Sequence, residues 1–139
     1  SHERNIIRTF VIAKMLEGDE MTRWLDAEII ESKEGYCKVQ MVVRKEMANG
    51  FNIVHGGISF SLADSAIAFA ANAYGRHAVS VNTSIRHLHP VFVGDTLIAE
   101  AEVVNLKHKI VNVDATVTNQ NGEKVADLQA TGYRKSEQW

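Results

Sequence analysis

Cysteine and proline are nearly absent from this chain, and each shortage excludes something. A single cysteine, Cys37, leaves no partner for an intrachain disulfide. The fold must then be held by packing alone, and a reducing cytosol is the expected home. One proline, Pro90, leaves no proline-rich linker, and no low-complexity tract or internal repeat divides the sequence. One domain over residues 1–139 is expected. The formal net charge of -2 supplies no cationic field for nucleic acid or an anionic membrane surface. The longest weakly charged stretch, Ile53 to Ala73, still carries His55 and Asp64, which argues against a membrane span. The first residues show no basic segment followed by an apolar run and a cleavage site, so no secretion signal is read there.

What is present is enough apolar material for one core. Hydrophobic residues make up 45% of the chain and charged residues 23%, so a short domain with one core and a large uncovered surface follows. Self-association is a natural way to cover that surface. Residues 3–17 read as an amphipathic helix through Ile6, Ile7, Phe10, Val11 and Met15, ended by Gly18. A short turn at Met21 to Trp24 is followed by a strand over Leu25–Ser32. Gly35 turns the chain into a second strand, Tyr36–Arg44, with Val39, Met41 and Val43 on one face. Asn49-Gly50 marks a turn. The alanine-rich run Gly57–Tyr74 reads as a helix with Gly75 at its C-terminal cap. Period-two segments at Ala78–His89, Thr96–Asn105, Ile110–Asn119 and Lys124–Arg134 follow, with Gly94-Asp95 and Asn121-Gly122 as turns. The predicted class is α+β, a mostly antiparallel sheet wrapped around one helix that is apolar nearly all round.

That helix holds the chemistry. From Gly57 to Ala73, Asp64 is the one ionisable side chain. Phe60, Ser61, Ile67, Ala68 and Ala71 share its face, so neither side of the helix resembles a solvated surface. A carboxylate there costs several kcal/mol unless it is paired, hydrogen-bonded or solvated in a cleft. It is therefore a candidate functional group, or it is neutralised by an arginine such as Arg86 or by a partner helix. His55-Gly56-Gly57 leads into the same helix, whose first N–H groups lack internal acceptors and sit at the positive end of the dipole. Glycine there allows a carbonyl oxygen or an oxyanion to approach the backbone, or it simply makes the turn. Gly56 and Asp64 are eight positions apart, roughly 12 Å along the axis. One reacting carbonyl cannot touch both within one chain. If they cooperate, a second copy supplies Asp64, with two antiparallel helices about a twofold axis.

The stretch Asn49-Gly50-Phe51-Asn52-Ile53-Val54-His55-Gly56-Gly57, continuing through Asp64 to Ala66, resembles the signature of PaaI-type hot-dog thioesterases. Pro90-Val91-Phe92-Val93-Gly94-Asp95-Thr96-Leu97 is also similar to that family, and the likeness covers roughly residues 20–135. The resemblance implies a homodimer, often paired again into a homotetramer, that hydrolyses an acyl-CoA with an aromatic or medium-length acyl group. It implies that the Gly56 N–H polarises the thioester carbonyl. Asp64 of the neighbouring subunit is then nucleophile or general base. His55 and Asn49 support the site, Ser65 holds water, and no metal or cofactor is used, coenzyme A being part of the substrate. Phe60, with Phe51, Leu62 and Ile67, is expected to line the acyl pocket, and Gly57 to let the substrate approach. The segment Ile85-Arg86-His87-Leu88-His89-Pro90 departs from the pattern, in which an acid, an aromatic and an arginine stand at the positions of Arg86, His87 and His89. Lys107 to Asn112 departs too. Arg86, Lys107 and Lys109 remain the candidates for coenzyme A phosphates.

Other residues have plainer readings. His87 and His89, alternate residues of one predicted strand, lack an obvious third ligand for a metal. Cys37 reads as packing. Ser59, Ser61 and Ser65 lie near His55 without a nucleophile elbow. Trp24 and Trp139 read as packing and tail residues. Two further functions stay open at this point: a hot-dog dehydratase or hydratase of acyl thioesters, and a non-catalytic acyl-CoA-binding module.

Overall fold

The computed structural model describes residues 2–139. Two helices, α1 (His2–Glu17) and α2 (Glu20–Leu25), precede the strands β1 (Glu28–Lys33) and β2 (Tyr36–Val42). A 3₁₀ turn at Lys45–Met47 and a loop lead to α3 (Gly56–Asn72). Four strands then close the sheet: β3 (Arg76–His87), β4 (Thr96–Lys107), β5 (Ile110–Thr118) and β6 (Lys124–Gln138). All pairings are antiparallel, in the order β1-β2-β4-β5-β6-β3.

Period two in the strands decides which face meets α3. Cys37, Val39 and Met41 of β2, Leu97, Ala99 and Ala101 of β4, and Val111, Val113 and Val117 of β5 are buried. Their alternate neighbours face outward, as an antiparallel sheet with one covered face requires. Leu62, Ala63, Ala66, Phe69 and Ala70 of α3 are buried against that face. The small alanines let the sheet approach the helix closely, while Leu62 and Phe69 fill the centre.

The expected α+β arrangement is present, with boundaries that differ in instructive places. Leu25 does not start a strand. Residues 20–25 form α2, because Asp19 caps it: Asp19 Oδ1 accepts from Thr22 N–H at 2.9 Å, and Oδ2 accepts from Thr22 Oγ1 at 2.6 Å. Asp26 ends α2 in the left-handed region (φ 54°), so β1 begins only at Glu28. The helix read to Tyr74 stops at Asn72 with Ala73 as its cap. Gly75 (φ 99°) is the reversing residue beyond it and donates its N–H to the Asn72 carbonyl at 2.9 Å. Strand β3 begins earlier than expected, at Arg76, and β6 runs four residues past Arg134, because the Arg76–Gln138 pair extends the ladder. The apolar stripe of α1 is only half covered: Val11 is buried, whereas Ile6, Ile7 and Phe10 are exposed. β3 lies at the sheet edge with Val79 and Val81 exposed, a row open to another strand. Among the described residues, no helix is long and apolar enough to cross a membrane.

Asn72 fastens the end of α3. Its Nδ2 donates to the carbonyls of Ala68 (2.8 Å) and Ala78 (3.2 Å), and its Oδ1 accepts from Ala78 N–H (2.9 Å) and Trp139 Nε1–H (3.0 Å). Trp139 also stacks on His77 with ring centroids 4.0 Å apart. One buried amide thus ties helix, edge strand and C-terminal tail. Asn72→Ala should lower the unfolding free energy by about 2–3 kcal/mol, since several groups lose their partner at once. Denaturant unfolding measures this; a loss under about 0.5 kcal/mol would mean the tail is not held through Asn72.

Candidate active site

The start of α3 is built by its own N-terminal residues. His55 is the cap: its carbonyl accepts from Ile58 N–H and its Nδ1 accepts from Gly57 N–H, both at 3.0 Å. An accepting Nδ1 places the proton of the neutral ring on Nε2. Of the first three amides of the helix, two are therefore committed. The Gly56 N–H has no acceptor among the described residues. It is the free donor at the positive end of the dipole. Gly57, by contrast, contributes no free donor and serves by lacking a side chain.

The loop before the helix is folded around Asn49. Its Oδ1 accepts from the N–H groups of Phe51 (2.9 Å) and Ile53 (3.2 Å). Two ladder bonds, Val54 N–H to the Val91 carbonyl (2.8 Å) and His55 N–H to the Met47 carbonyl (2.9 Å), then fix where the helix begins. The Asn49 oxygen is thus spent on the backbone of the loop that leads into α3.

Asp64, two turns along, is half-buried and has no hydrogen-bond or ion-pair partner among the described residues. Burial pushes its carboxyl above the ordinary range, and no cation offsets the cost. Arg86 does not neutralise it: Arg86 donates to Asp127 across the β3–β6 ladder at 2.9 and 2.6 Å. That pair holds the Asp127 carboxyl below its usual range and lies in another groove, with Ser84, Asp114 and Lys124. Asp64 borders two cavities. One, of about 250 Å³, lies towards the sheet and is lined by Ile67, Ala71, Ser80, Val111 and Gly132. The other, of about 260 Å³, lies under α1 and α2 and is lined by Met15, Met21, Phe60 and Ser65.

Several expected pocket residues separate here. Phe60 and Ile67 each line one of the two cavities that Asp64 borders. Leu62 does not reach either cavity, because it lies on the core side of α3 and is fully buried. Phe51 stands 85% exposed at the loop tip. Ser65 Oγ lies 3.4 Å from Thr22 Oγ1, so it also contacts the cap of α2. Lys107 and Lys109 sit at the β4–β5 turn. Ile110, beside that turn, pairs with Tyr133, whose other partner Val79 lies near the Gly75 end of α3. The Cys37 thiol is pushed up to about 12 by burial, too high for a nucleophile near neutral pH. His87 and His89 do not converge: His89 Nε2 faces Glu123 Oε2 at 3.2 Å, while the His87 ring lies against Gly56.

Gly56 borders neither cavity of Asp64. It opens on a third, of about 450 Å³, with Ser59, His87, His89 and Val91. Two residues at these cavities have no catalytic role in the sequence reading. Ser80 lines the cavity that Asp64 borders, and His87 registers in the sequence only as half of an incomplete metal pair and as a departure from a pattern. The thioesterase superfamily model matches residues 51–126, more than half of the chain, and spans Gly56, Asp64, Ser80 and His87. The chain belongs to the thioesterase superfamily. An Archaeoglobus fulgidus protein is 43% identical over 88% of this chain and 80% of its own length. The acyl-coenzyme A thioesterase PaaI of Escherichia coli is 38% identical over 86% of each chain. The structure of the E. coli PaaI protein superposes with a TM-score of 0.92 over 95% of this chain and 96% of the other, at 35% identity. A Streptococcus mutans protein bound to acetyl-CoA gives 0.78 at 27% identity, over 81% and 91%. The thioesterase is of PaaI type and hot-dog fold, an enzyme that hydrolyses thioesters.

The unpaired carboxyl has a consequence for stability. A carboxyl whose folded value is raised stabilises the fold fully below its unfolded value and loses that contribution as pH rises through the folded one. Replacing Asp64 by the neutral isostere removes the cost at neutral pH. Asp64→Asn should raise the melting temperature of the thioesterase by a few degrees near pH 7, and the gain should vanish near pH 3, where wild-type Asp64 is protonated in both states. Calorimetry across that range checks it; a gain independent of pH would locate the effect elsewhere.

Proposed function

We propose that this thioesterase hydrolyses acyl-CoA in a homodimer with two shared sites, each combining Gly56 of one subunit with Asp64 of the other. The observation that carries the reading is a mismatch. The free amide of Gly56 and the unpaired carboxylate of Asp64 lie in different cavities of one chain, about two helical turns apart. Antiparallel α3 helices about a twofold axis would bring each to the other's complement, and the open edge of β3 offers a strand through which two copies would pair. Pairing of two dimers into a tetramer belongs to the same reading. The names of relatives, an acyl-coenzyme A thioesterase and a protein bound to acetyl-CoA, support the substrate class.

The chemistry then needs few groups. The thioester carbonyl oxygen accepts from Gly56 N–H, which favours the negative charge that develops as the carbonyl carbon is attacked. Asp64 takes a proton from the attacking water, or attacks first to give an acyl–carboxyl anhydride that water opens. In both routes the C–S bond breaks, the electron pair leaves on sulfur, and the free acid and the coenzyme A thiol are released. After a single turnover in heavy-oxygen water, label in the Asp64 carboxylate identifies the anhydride route, with water opening the anhydride at the Asp64 carbonyl, whereas the general-base route places the label in the released acid. No cofactor enters either route. His55, with its proton on Nε2, and Asn49, through its loop, hold the carbonyl end of the site. Ser65 would hold water near the carboxylate, and Phe60 would form part of the acyl wall. Arg86 remains a contact for coenzyme A phosphates only if the ligand draws it from Asp127.

The test is thiol release from a panel of acyl-CoAs by wild type, Asp64→Ala and Gly56→Pro, alone and mixed. Each variant alone should be at least about a hundredfold slower. An equal mixture refolded together should recover about a quarter of wild-type activity, because half of the dimers are mixed and each has one intact site. No recovery would sink the shared site. Full activity in Asp64→Ala would remove Asp64 from the mechanism. Binding of acyl-CoA without turnover by wild type would make the chain a binding module.

A further inference from the structure

We propose that His87 is a second oxyanion donor, its imidazole N–H binding the same carbonyl oxygen that Gly56 holds. This rests on the thioesterase reading and adds a residue to it. The ring of His87 fills the space a side chain at position 56 would take. A Cβ built on Gly56 would stand 2.8 Å from His87 Cε1, 3.2 Å from Nε2 and 3.5 Å from Nδ1. The whole nitrogen–carbon–nitrogen edge therefore faces Gly56, and either neutral tautomer presents its N–H there. A backbone nitrogen lies roughly 2.5 Å from its own Cβ, so the Gly56 amide and His87 Nε2 are under about 6 Å apart. Two donors that close can share one oxygen at ordinary hydrogen-bond lengths.

The surroundings leave His87 free for that task. Neither of its nitrogens has a hydrogen-bond partner among the described residues, whereas His55 Nδ1 is spent on Gly57 and His89 faces Glu123. Its ring and Gly56 line the same cavity. Its backbone is fixed: His87 pairs with Ala126 at the end of β3, and Leu88 N–H donates to the Val125 carbonyl at 2.9 Å. The ring is thus hinged on rigid strand, exposed to solvent, with no protein partner on its edge. A donor fixed beforehand beside a helix N-terminus strengthens as charge grows on the oxygen, and that selective gain speeds the chemical step. The contact also gives a reason for glycine at position 56, since a side chain there would push the imidazole away.

His87→Phe keeps a flat ring in the same place and removes the donor, while His87→Gln shortens the ring and keeps an N–H. Against the acyl-CoA that wild type hydrolyses fastest, His87→Phe should lose about tenfold to a hundredfold in kcat with KM changed less than about threefold. His87→Gln should recover part of that loss. Infrared spectra supply a readout that mere packing would not move. With the same acyl-CoA bound intact to Asp64→Ala, the thioester carbonyl band should lie at higher frequency when His87→Phe is added. Wild-type kcat in His87→Phe, or an unmoved band, overturns the role of His87 while leaving the thioesterase reading standing. A wild-type chain that neither turns over nor binds any acyl-CoA overturns both.

Discussion

A carboxylate without a counter-charge, held half out of water, is the constraint around which this fold is arranged. Asp64 lies on the one helix that the sheet covers, among alanines and large apolar side chains, and Arg86, the arginine expected to neutralise it, is taken by Asp127. Such a group costs free energy in every folded molecule at neutral pH. The rest of α3 offsets that cost. Leu62, Phe69 and their neighbours are buried against the sheet, and each large apolar side chain contributes on the order of 1.5–3 kcal/mol. An unpaired, raised carboxyl is poor for stability and useful for catalysis, because a pairing partner would hold it in the resting state.

The N-terminus of the same helix shows a second economy. An α-helix begins with amides that have no internal acceptor, and a fold normally caps them all. Here the His55 side chain and carbonyl take Gly57 and Ile58, and Gly56 is left over. One histidine thus selects which amide is free and fixes its own tautomer while doing so. Asn49 performs the same kind of work one loop earlier, where its side-chain oxygen stands in for a backbone carbonyl. In the proposed site, neither residue would need to touch a substrate to set where the reacting carbonyl lies.

Much of this was legible in the sequence. The helix apolar on all sides, the lone Asp64 within it and the His55-Gly56-Gly57 start needed only periodicity and the known needs of helix ends. The separation of Gly56 from Asp64 followed from helix rise alone. What stayed hidden depended on partners distant in sequence. Thr22 bonding back to Asp19 turned an expected strand start into α2, because a short capped helix leaves little periodic signal. Asn72 gave no sign that it would fasten Ala78 and Trp139. Leu62 and Phe60 look equally suited to a pocket until the sheet decides which side of α3 it covers. Arg86 faced Asp127 because β3 and β6 happen to be in that register.

Register also explains why Ser80 and His87 serve the same side of the sheet. They are seven residues apart, an odd spacing that in a regular strand sends two side chains to opposite faces. Strand β3 is not regular: Ser80 pairs with Gly132 and Asn82 with Thr131, so Val81 is an extra residue. The shift resets the alternation. Ser80, Thr83, Ile85 and His87 all stand opposite buried or inward residues of β6, namely Gly132, Ala130, Leu128 and Ala126. Ser80 then borders the carboxylate cavity and His87 the amide cavity, at points of β3 separated by roughly 20 Å. One edge strand therefore reaches both ends of α3. If two copies meet along that edge, each β3 touches both shared sites, and a slip of one residue would misalign both at once. The bulge at Val81 is what would let an edge used for pairing also carry two groups of the proposed site.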